Sequence, residues 1–187
     1  MATTSDPEPS PLGPMLGDDT TTLGEVRAWL RARVLGDRKP ETCPACQQRV
    51  EVYSRAIHSA MARFLLALYR APSELVTADR WVHGPTLARA RPAWRISEGG
   101  DNAKLRYWGL VELATGRRPD GSPRTGYMRI TAAGQEFARD ELRVPRKALI
   151  YDEKFLRWDD ATDLIGIRDA LGVKFDYDQL MRDSEGN

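Results

Sequence analysis

Two cysteines and two histidines are the residues of this chain best suited to bind a transition-metal ion. Cys43 and Cys46 lie in the segment TCPAC, a tight turn that can present two thiolates as half of a zinc site. A structural zinc ion takes four ligands, and His58 and His83 are the remaining nitrogen ligands of this kind. The sequence therefore predicts a structural zinc site of Cys43, Cys46, His58 and His83, or a site shared between two copies of the chain.

Other interpretations of these residues stay open. The cysteine turn could be a knuckle closed by hydrogen bonds, or a redox-active pair. A thioredoxin-like role is not expected, because the strand–helix–strand pattern of that fold is missing around it. His58 could be solvated or bonded to a carbonyl group, and His83 could cap or pack a neighbouring element. A bound metal would hold the first helix against residues 50–70 and would not be catalytic.

A polar and aromatic segment, GGDNAKLRYWGLVEL at 99–113, could bind nucleic acid. Asp101 is a good N-cap, and residues 102–109 make about two helical turns. Leu105 and Trp108 are three residues apart and are expected to face the core. Asparagine and arginine read adenine and guanine edges in the major groove, and a helix N-terminus favours phosphate. The predicted DNA-contacting residues of this helix are Asn102, Lys104, Arg106 and Tyr107.

A basic loop, TGRRPDGSPRTG, follows the strand LVELA and precedes the strand YMRIT. Its arginines would lie over the DNA backbone or the minor groove, where they add affinity and salt dependence more than sequence information. These residues are Arg117, Arg118 and Arg124.

The distribution of charge along the chain favours nucleic-acid binding more than the net charge does. A net charge of +1 argues by itself against a strongly basic nucleic-acid binder. Basic residues nevertheless outnumber acidic ones in 80–130, whereas the first 20 residues carry acids and no base, and acids predominate from residue 132 onward. The sequence therefore predicts a basic middle segment with acidic flanks.

The sequence does not favour an enzyme. It contains no nucleophile elbow, P-loop or dinucleotide-binding glycine pattern, and GGDNAK lacks the spacing that cradles phosphates. The acidic cluster Asp159, Asp160 and Asp163 is better explained as a solvated turn and helix start. Asp176 and Asp178 are expected to flank a short helix.

The pattern of apolar residues predicts an α+β protein. Residues 1–20 are rich in Pro, Ser, Thr and acid and are expected to be a disordered tail. Residues 21–53 hold a leading helix and the cysteine knuckle. Residues 54–143 give helix, strand, short helix, second helix, strand, basic loop, strand and helix. Residues 144–187 form a C-terminal extension, with a hairpin that turns at Asp152–Glu153 and two short helices.

Local signals support the two longest predicted helices. Thr22 and Glu25 have capping-box spacing ahead of the stripe Leu23, Val26, Leu30 and Val34, and Gly36 is a plausible end. The segment SRAIHSAMARFLLALYRA, at 54–71, is the best candidate for a core helix. Its apolar residues at helical spacing are Ile57, Met61, Phe64, Leu65 and Leu68.

The chain is expected to be cytoplasmic and to have no membrane partner. It is 41% hydrophobic and 29% charged, and no apolar run approaches the length needed to cross a bilayer. It also lacks a basic start followed by an apolar stretch, so a secretory signal is not expected.

The order of elements in 54–142 resembles the winged-helix variant of the helix-turn-helix. KLRYWGLVEL followed by GYMRITAAGQEFA resembles the segment of bacterial winged-helix repressors in which a recognition helix, a Gly-Leu-Val turn, a hairpin wing and a T-x-x-G helix start follow one another. More narrowly, the chain is similar to small phage and prophage proteins of no known activity. The pieces that carry this second resemblance are Cys43–Cys46, Trp81–His83, Lys104–Leu110, Gly126–Thr131 and Phe175–Met181.

Two functions are consistent with these patterns. The resemblance implies a phage-related regulator or accessory protein that binds double-stranded DNA. A homodimer formed through the first helix and the C-terminal extension could read two half-sites. The alternative is a protein-interaction module that docks on a host protein. Its contact surface would be formed by the aromatic residues Tyr151, Phe155, Trp158, Phe175 and Tyr177.

Overall fold

The computed structural model describes residues 21–98, 100–116 and 125–182. It has mixed α+β architecture with several small antiparallel sheets, which confirms the predicted class. The described residues form two compact units. The smaller unit comprises the residues up to Tyr53 together with Ile150–Lys154, and the larger unit comprises Ser54–Leu149 and the residues from Phe155 on. The predicted tail at 1–20 and the loop arginines Arg117, Arg118 and Arg124 lie outside the described residues.

Helix α1, Leu23–Asp37, opens the smaller unit. The predicted capping box is confirmed: the Glu25 amide donates to Thr22 Oγ1 at 3.3 Å, and the Thr22 amide donates to the Glu25 carboxylate at 2.7 Å. Val26, Leu30 and Val34 are buried, whereas Leu23 is exposed and does not join the stripe. The helix does not end at Gly36 but continues to Asp37. Its C-cap residue, Arg38, adopts the left-handed backbone conformation with φ 53°.

A short hairpin follows α1 and carries the cysteine turn. Strands β1, Glu41–Thr42, and β2, Arg49–Val50, are antiparallel, with Glu41 opposite Val50 and Thr42 opposite Arg49. Strand β2 ends at Val50, and the next strand, β3, is Tyr53–Ala56.

Helix α2, Ser59–Tyr69, forms the core of the larger unit. All five apolar residues predicted for it are buried: Ile57, Met61, Phe64, Leu65 and Leu68. The helix begins at Ser59 and not at Ser54, because the preceding residues form β3. A 3₁₀ turn, Ser73–Leu75, follows α2.

A three-stranded antiparallel sheet lies beside α2, with the strand order β4-β6-β5. Its strands are β4 at Val82–His83, β5 at Val111–Leu113 and β6 at Tyr127–Ile130. Helix α3, Gly84–Ala90, a 3₁₀ turn, Pro92–Trp94, and a longer 3₁₀ helix, Gly100–Trp108, connect β4 to β5. Helix α4, Ala132–Ala138, follows β6 and packs on α2.

The C-terminal part of the chain adds short strands and two helices. Strands β7, β8, β9 and β10 are Val144–Pro145, Lys147–Tyr151, Lys154–Trp158 and Leu164–Ile165, and the helices are α5, Ile167–Leu171, and α6, Tyr177–Arg182. The sheet orders are β3-β8-β9 and β10-β7. The predicted hairpin is confirmed, since Asp152 and Glu153 both adopt the left-handed conformation of a tight hairpin turn. Within the described residues, no helix is both long and apolar enough to span a bilayer.

Candidate functional site

The helix Gly100–Trp108 is a 3₁₀ helix, so residues three apart lie directly above one another. One row, Asn102, Leu105 and Trp108, is buried. The expectation that Leu105 and Trp108 face the core is therefore confirmed. The helix has one face fixed in the protein and the opposite face at the surface.

The prediction that Asn102 faces outward is wrong. Asn102 is only 3% exposed, and its side-chain Nδ2 group donates to the Ser97 carbonyl at 2.8 Å. Its Oδ1 atom is buried and has no hydrogen-bond partner among the described residues. The physical reason is the spacing: Asn102 lies three residues before Leu105, so it stands in the same row as Leu105 and Trp108 and faces the core with them. Asn102 therefore supports the helix from inside and is removed from the candidate surface.

The C-terminal end of this helix is anchored by its tryptophan. The Trp108 Nε1 group donates to the Pro145 carbonyl at 2.6 Å, and its ring lies 6.2 Å from that of Trp158. Leu105 is completely buried. Gly109 ends the helix in the left-handed conformation, with φ 69°. These contacts hold the exposed face in a fixed orientation within the larger unit.

The turn after the helix is fixed to the start of α4. The Thr131 hydroxyl donates to the Gly109 carbonyl at 2.6 Å and accepts from the Gly134 amide at 3.0 Å. The Thr131 amide donates to the Leu110 carbonyl at 3.2 Å. The T-x-x-G spacing thus has a physical role: its threonine caps α4 and also ties down the Gly109 turn.

The exposed face of the helix carries Lys104, Arg106 and Tyr107, each half-buried. The Lys104 ammonium donates to Asp101 and holds the pKa of that carboxyl below its usual range. The Arg106 guanidinium lies 4.5 Å from the centre of the Tyr107 ring and donates to the Tyr107 hydroxyl at 2.9 Å. Lys104 and Tyr107 therefore lie in one row of the helix and Arg106 in the neighbouring row, and the polar groups of all three are already oriented by neighbours.

The basic segment 80–130 is partly neutralised in the fold. Arg89 pairs with Glu98 at 2.8 Å, and Arg129 pairs with Glu112 at 3.0 Å. The Arg129 guanidinium also stacks over Trp81, 4.6 Å from the ring centre. Exposed pairs of this kind contribute little to stability, but each offsets one cation. The positive surface is therefore smaller than the residue count suggests.

Comparison with known proteins identifies no relative. No family model matches the sequence, and no curated protein and no solved structure is similar to it. Any functional assignment therefore depends on the contacts, charges and exposure of the chain's own residues.

Of the four predicted zinc ligands, Cys43 and Cys46 belong to the smaller unit and His58 and His83 to the larger one. His58 lies 4.0 Å from the Asp101 carboxylate, measured from its Nε2 atom. His83 shares a hydrogen bond of 2.8 Å with the Thr86 hydroxyl, and its ring packs on Tyr127. No three His, Cys, Asp or Glu side chains in the part of the chain that the structure describes are placed to hold a metal ion. Each histidine thus has a local partner of its own within the larger unit, and a zinc site that combines His58 and His83 with the two cysteines stays a prediction.

The cysteine turn is closed by its own backbone. The Cys43 amide donates to the Gln48 carbonyl and the Gln47 amide donates to the Cys43 carbonyl, both at 2.8 Å. The pKa of the Cys43 thiol lies below its usual value, chiefly because the Cys46 amide points at its sulfur. Both cysteines are free thiols; Cys46 is exposed and Cys43 is half-buried. The closed turn therefore holds two free thiol groups in place outside the core.

The aromatic residues of the alternative surface are mostly used for packing. The Arg63 guanidinium lies 4.0 Å from the centre of the Phe175 ring, and the Tyr177 hydroxyl donates to the Ala138 carbonyl at 2.9 Å. Burial raises the pKa values of Tyr151 and Tyr177. Phe155, on the edge strand β9, is the one large exposed apolar residue of the five and packs against Trp158 with ring centres 4.5 Å apart.

The acidic residues near the C-terminus have structural partners. Asp163 pairs with Arg146 at 3.0 Å, and Asp160 accepts from the Thr162 amide at 2.8 Å. Asp176 accepts from the Gln179 amide at the start of α6, and Asp178 pairs with Arg168, both at 2.8 Å. Each contact suits a turn or a helix end.

Arg63 is a buried residue that sequence reasoning missed. It is 7% exposed, and its guanidinium donates to the Trp94 carbonyl and, at 2.7 Å, to the Arg95 carbonyl. Burial lowers the pKa of this group, which still carries its charge as arginines do. It holds the backbone that precedes the helix Gly100–Trp108. An arginine inside the apolar run AMARFLLALY was the available signal.

Proposed function

We propose that the chain is a DNA-binding regulator or accessory protein that contacts duplex DNA through the exposed face of the helix Gly100–Trp108. The carrying observation is that Lys104, Arg106 and Tyr107 all lie outside the buried row of this helix, while Leu105 and Trp108 fix that row in the core. A helix of this kind can enter the major groove, with its cations toward bases and phosphates.

The order of elements supports a winged-helix arrangement. Helix α2, strand β4, helix α3, the helix Gly100–Trp108 and strands β5 and β6 follow one another, and β6 lies between β4 and β5. In this arrangement the third helix reads DNA and the β5–β6 hairpin is the wing. Arg117, Arg118 and Arg124 would belong to that wing, which remains a prediction from sequence. A phage-related role is proposed from the sequence resemblance alone.

Arg106 is the best candidate for base recognition. A guanidinium presents a planar fork of donors, and guanine accepts such a fork through O6 and N7. Stacking on Tyr107 restricts the side chain before DNA arrives, so less conformational entropy is lost on binding.

Lys104 has a different role in the proposed complex. Its ammonium would exchange the Asp101 carboxylate for a phosphate oxygen, a contact that adds affinity without sequence information. Asp101 opposes phosphate at this position, so the helix alone gives modest affinity.

Duplex binding across a salt series tests the proposal. Fluorescence anisotropy of a labelled mixed-sequence duplex should show binding at low salt that weakens steeply as salt rises. The double variant Lys104→Ala/Arg106→Ala should bind more weakly and flatten the slope of log K against log salt by about 0.9 for each lost phosphate contact, or up to about 2 in all.

A charge-matched variant provides the control. Arg27→Ala/Arg31→Ala also removes two cations, from exposed positions on α1, and should retain the wild-type slope. Absence of binding at low salt would contradict the proposal, and so would an equal loss in both double variants.

Phe155 favours a second candidate, a protein-interaction module. Its exposed ring lies on β9, an edge strand that a partner could extend or cover. This candidate predicts no duplex binding by the folded chain at low salt, together with a partner whose binding is lost in Phe155→Ser. Retained binding in that variant would exclude this surface.

A further inference from the structure

We propose that Cys43 and Cys46 bind one zinc ion together with the same two cysteines of a second copy of the chain. The site would be a tetrahedral zinc tetrathiolate that links two hairpins. It stands independently of the DNA-binding proposal, since none of its residues lies on the helix Gly100–Trp108.

The hairpin already holds the two thiols in a ligand-like turn. Strands β1 and β2 pair up to Thr42 and Arg49, so the cysteines lie in the connecting turn. The Cys43–Gln48 and Gln47–Cys43 backbone hydrogen bonds close it, and Gln47 adopts the left-handed conformation with φ 60°. The turn therefore needs no rearrangement of its strands to present both sulfur atoms.

The two thiols belong to one tight turn. Two residues separate Cys43 from Cys46, and the Cys46 and Ala45 amides face the Cys43 sulfur. A C-x-x-C turn of this kind supplies two of the four ligands of many structural zinc sites.

The exposure of the two thiols argues against a purely structural role for them. Free cysteines that serve packing are usually buried, whereas Cys46 is exposed and Cys43 is half-buried. An external ligand can therefore reach the pair.

The number of ligands argues for a second copy. Structural zinc takes four ligands, and the chain has two cysteines and two histidines. His58 and His83 have Asp101 and Thr86 as neighbours, and residues 21–98, 100–116 and 125–182 contain no group of three His, Cys, Asp or Glu side chains that could hold a metal ion. A second hairpin supplies two more thiolates with the same geometry, and a two-fold axis through the metal relates the two pairs.

Metal binding releases protons in a defined balance. Four thiols, two from each chain, lose four protons as one Zn²⁺ ion forms four zinc–sulfur bonds, which leaves a site of charge −2. No electron is transferred. Affinity for zinc should therefore rise with pH until the thiols are fully ionised.

Metal stoichiometry and mass test the site together. The reduced full chain, stripped with a chelator, should be monomeric in sedimentation analysis. Addition of Zn²⁺ should produce a dimer with one zinc per two chains in native mass spectrometry. Replacement by Co²⁺ should give the absorption of a tetrahedral tetrathiolate, which reports the four sulfur ligands directly.

Cysteine and histidine variants separate this site from other arrangements. Cys43→Ser and Cys46→Ser should lose both the zinc and the dimer, whereas His58→Ala and His83→Ala should keep both. Circular dichroism checks that each variant is folded. If a cysteine variant fails to fold, the stoichiometry and the Co²⁺ spectrum of the wild type still decide the question.

Several results would overturn the proposal. These are one zinc per monomer, a dimer that forms equally well without metal, loss of zinc in either histidine variant, and a reduced chain that takes up no zinc. A Cys43–Cys46 disulfide that forms in place of zinc binding under reducing conditions would also overturn it.

Discussion

Gly134 lies directly against the backbone carbonyl of Leu110, and a β-carbon at position 134 would overlap that oxygen. The Ile130 side chain also lies within 2.8 Å of the position that the β-carbon would occupy. Thr131 bridges the same region through its bonds to Gly109 and Gly134. The first turn of α4 and the end of the candidate DNA-binding helix are therefore packed backbone to backbone.

Gly134→Ala should consequently destabilise the protein strongly. The clash is with backbone, which cannot rotate away, so the loss should reach or exceed the upper end of the ~1–3 kcal/mol that overpacking usually costs. Urea denaturation measures it. Gly36→Ala is the control, because a β-carbon there meets nothing within 4 Å among the described residues and α1 should gain about 0.5–1 kcal/mol. Equal stabilities of the two variants would contradict the close packing.

Asn102 should affect stability and not DNA recognition. Asn102→Ala removes the donor to the Ser97 carbonyl and should cost about 1 kcal/mol, while the salt slope of duplex binding stays at the wild-type value. A change in base preference with unchanged stability would return Asn102 to the DNA-contacting surface.

Asn102→Asp should make stability dependent on pH. A buried carboxyl has a raised pKa in the folded state and can donate to Ser97 only while protonated. The folded state would then bind the proton more tightly, so stability should fall as the pH rises from roughly 4 toward 7. Denaturation at several pH values, with Asn102→Ala as the uncharged reference, measures this trend. Parallel curves for the two variants would show that position 102 is solvated.

Cys43 should react as a thiolate at lower pH in the folded chain than in the unfolded chain. Its lowered pKa depends mainly on the amide of residue 46, which Cys46→Ser retains. In that variant, with a chelator present, the pH midpoint of alkylation by iodoacetamide should lie below the midpoint measured in concentrated urea. An equal or higher midpoint in the folded chain would mean that the amide does not point at the sulfur.

Features of the fold that depend on local spacing could be predicted from the sequence. The Thr22–Glu25 capping box and the Asp152–Glu153 turn involve neighbouring residues, and both are present as predicted. The start of α2 could not be found in this way. Residues 54–56 fall inside the segment predicted as this helix, but they belong to strand β3, which pairs with β8, nearly a hundred positions later in the chain. Strand pairing over that distance overrides the local secondary-structure preference, and it cannot be detected from a short stretch of sequence.

The candidate site was predictable to a similar extent. Lys104 and Arg106 flank the buried Leu105, so a helix with one buried face places them at the surface. Asn102 was placed wrongly because its polar side chain favours the surface, although its three-residue spacing from Leu105 puts it in the buried row. Partners such as Glu98 for Arg89 and Glu112 for Arg129 are brought close only by the folded backbone.

Site-directed crosslinking tests most directly whether the helix Gly100–Trp108 contacts DNA. A photoreactive benzoylphenylalanine in place of Tyr107 lies on the exposed face, beside Arg106. The same group in place of Phe155 is the control. Phe155 packs on Trp158, and Trp158 packs on Trp108, so position 155 lies on the side of the buried row and not on the exposed face. With duplex bound, irradiation should give a protein–DNA adduct from position 107 and none from position 155. Absence of an adduct at 107, or an equal yield at 155, would contradict the proposed interface.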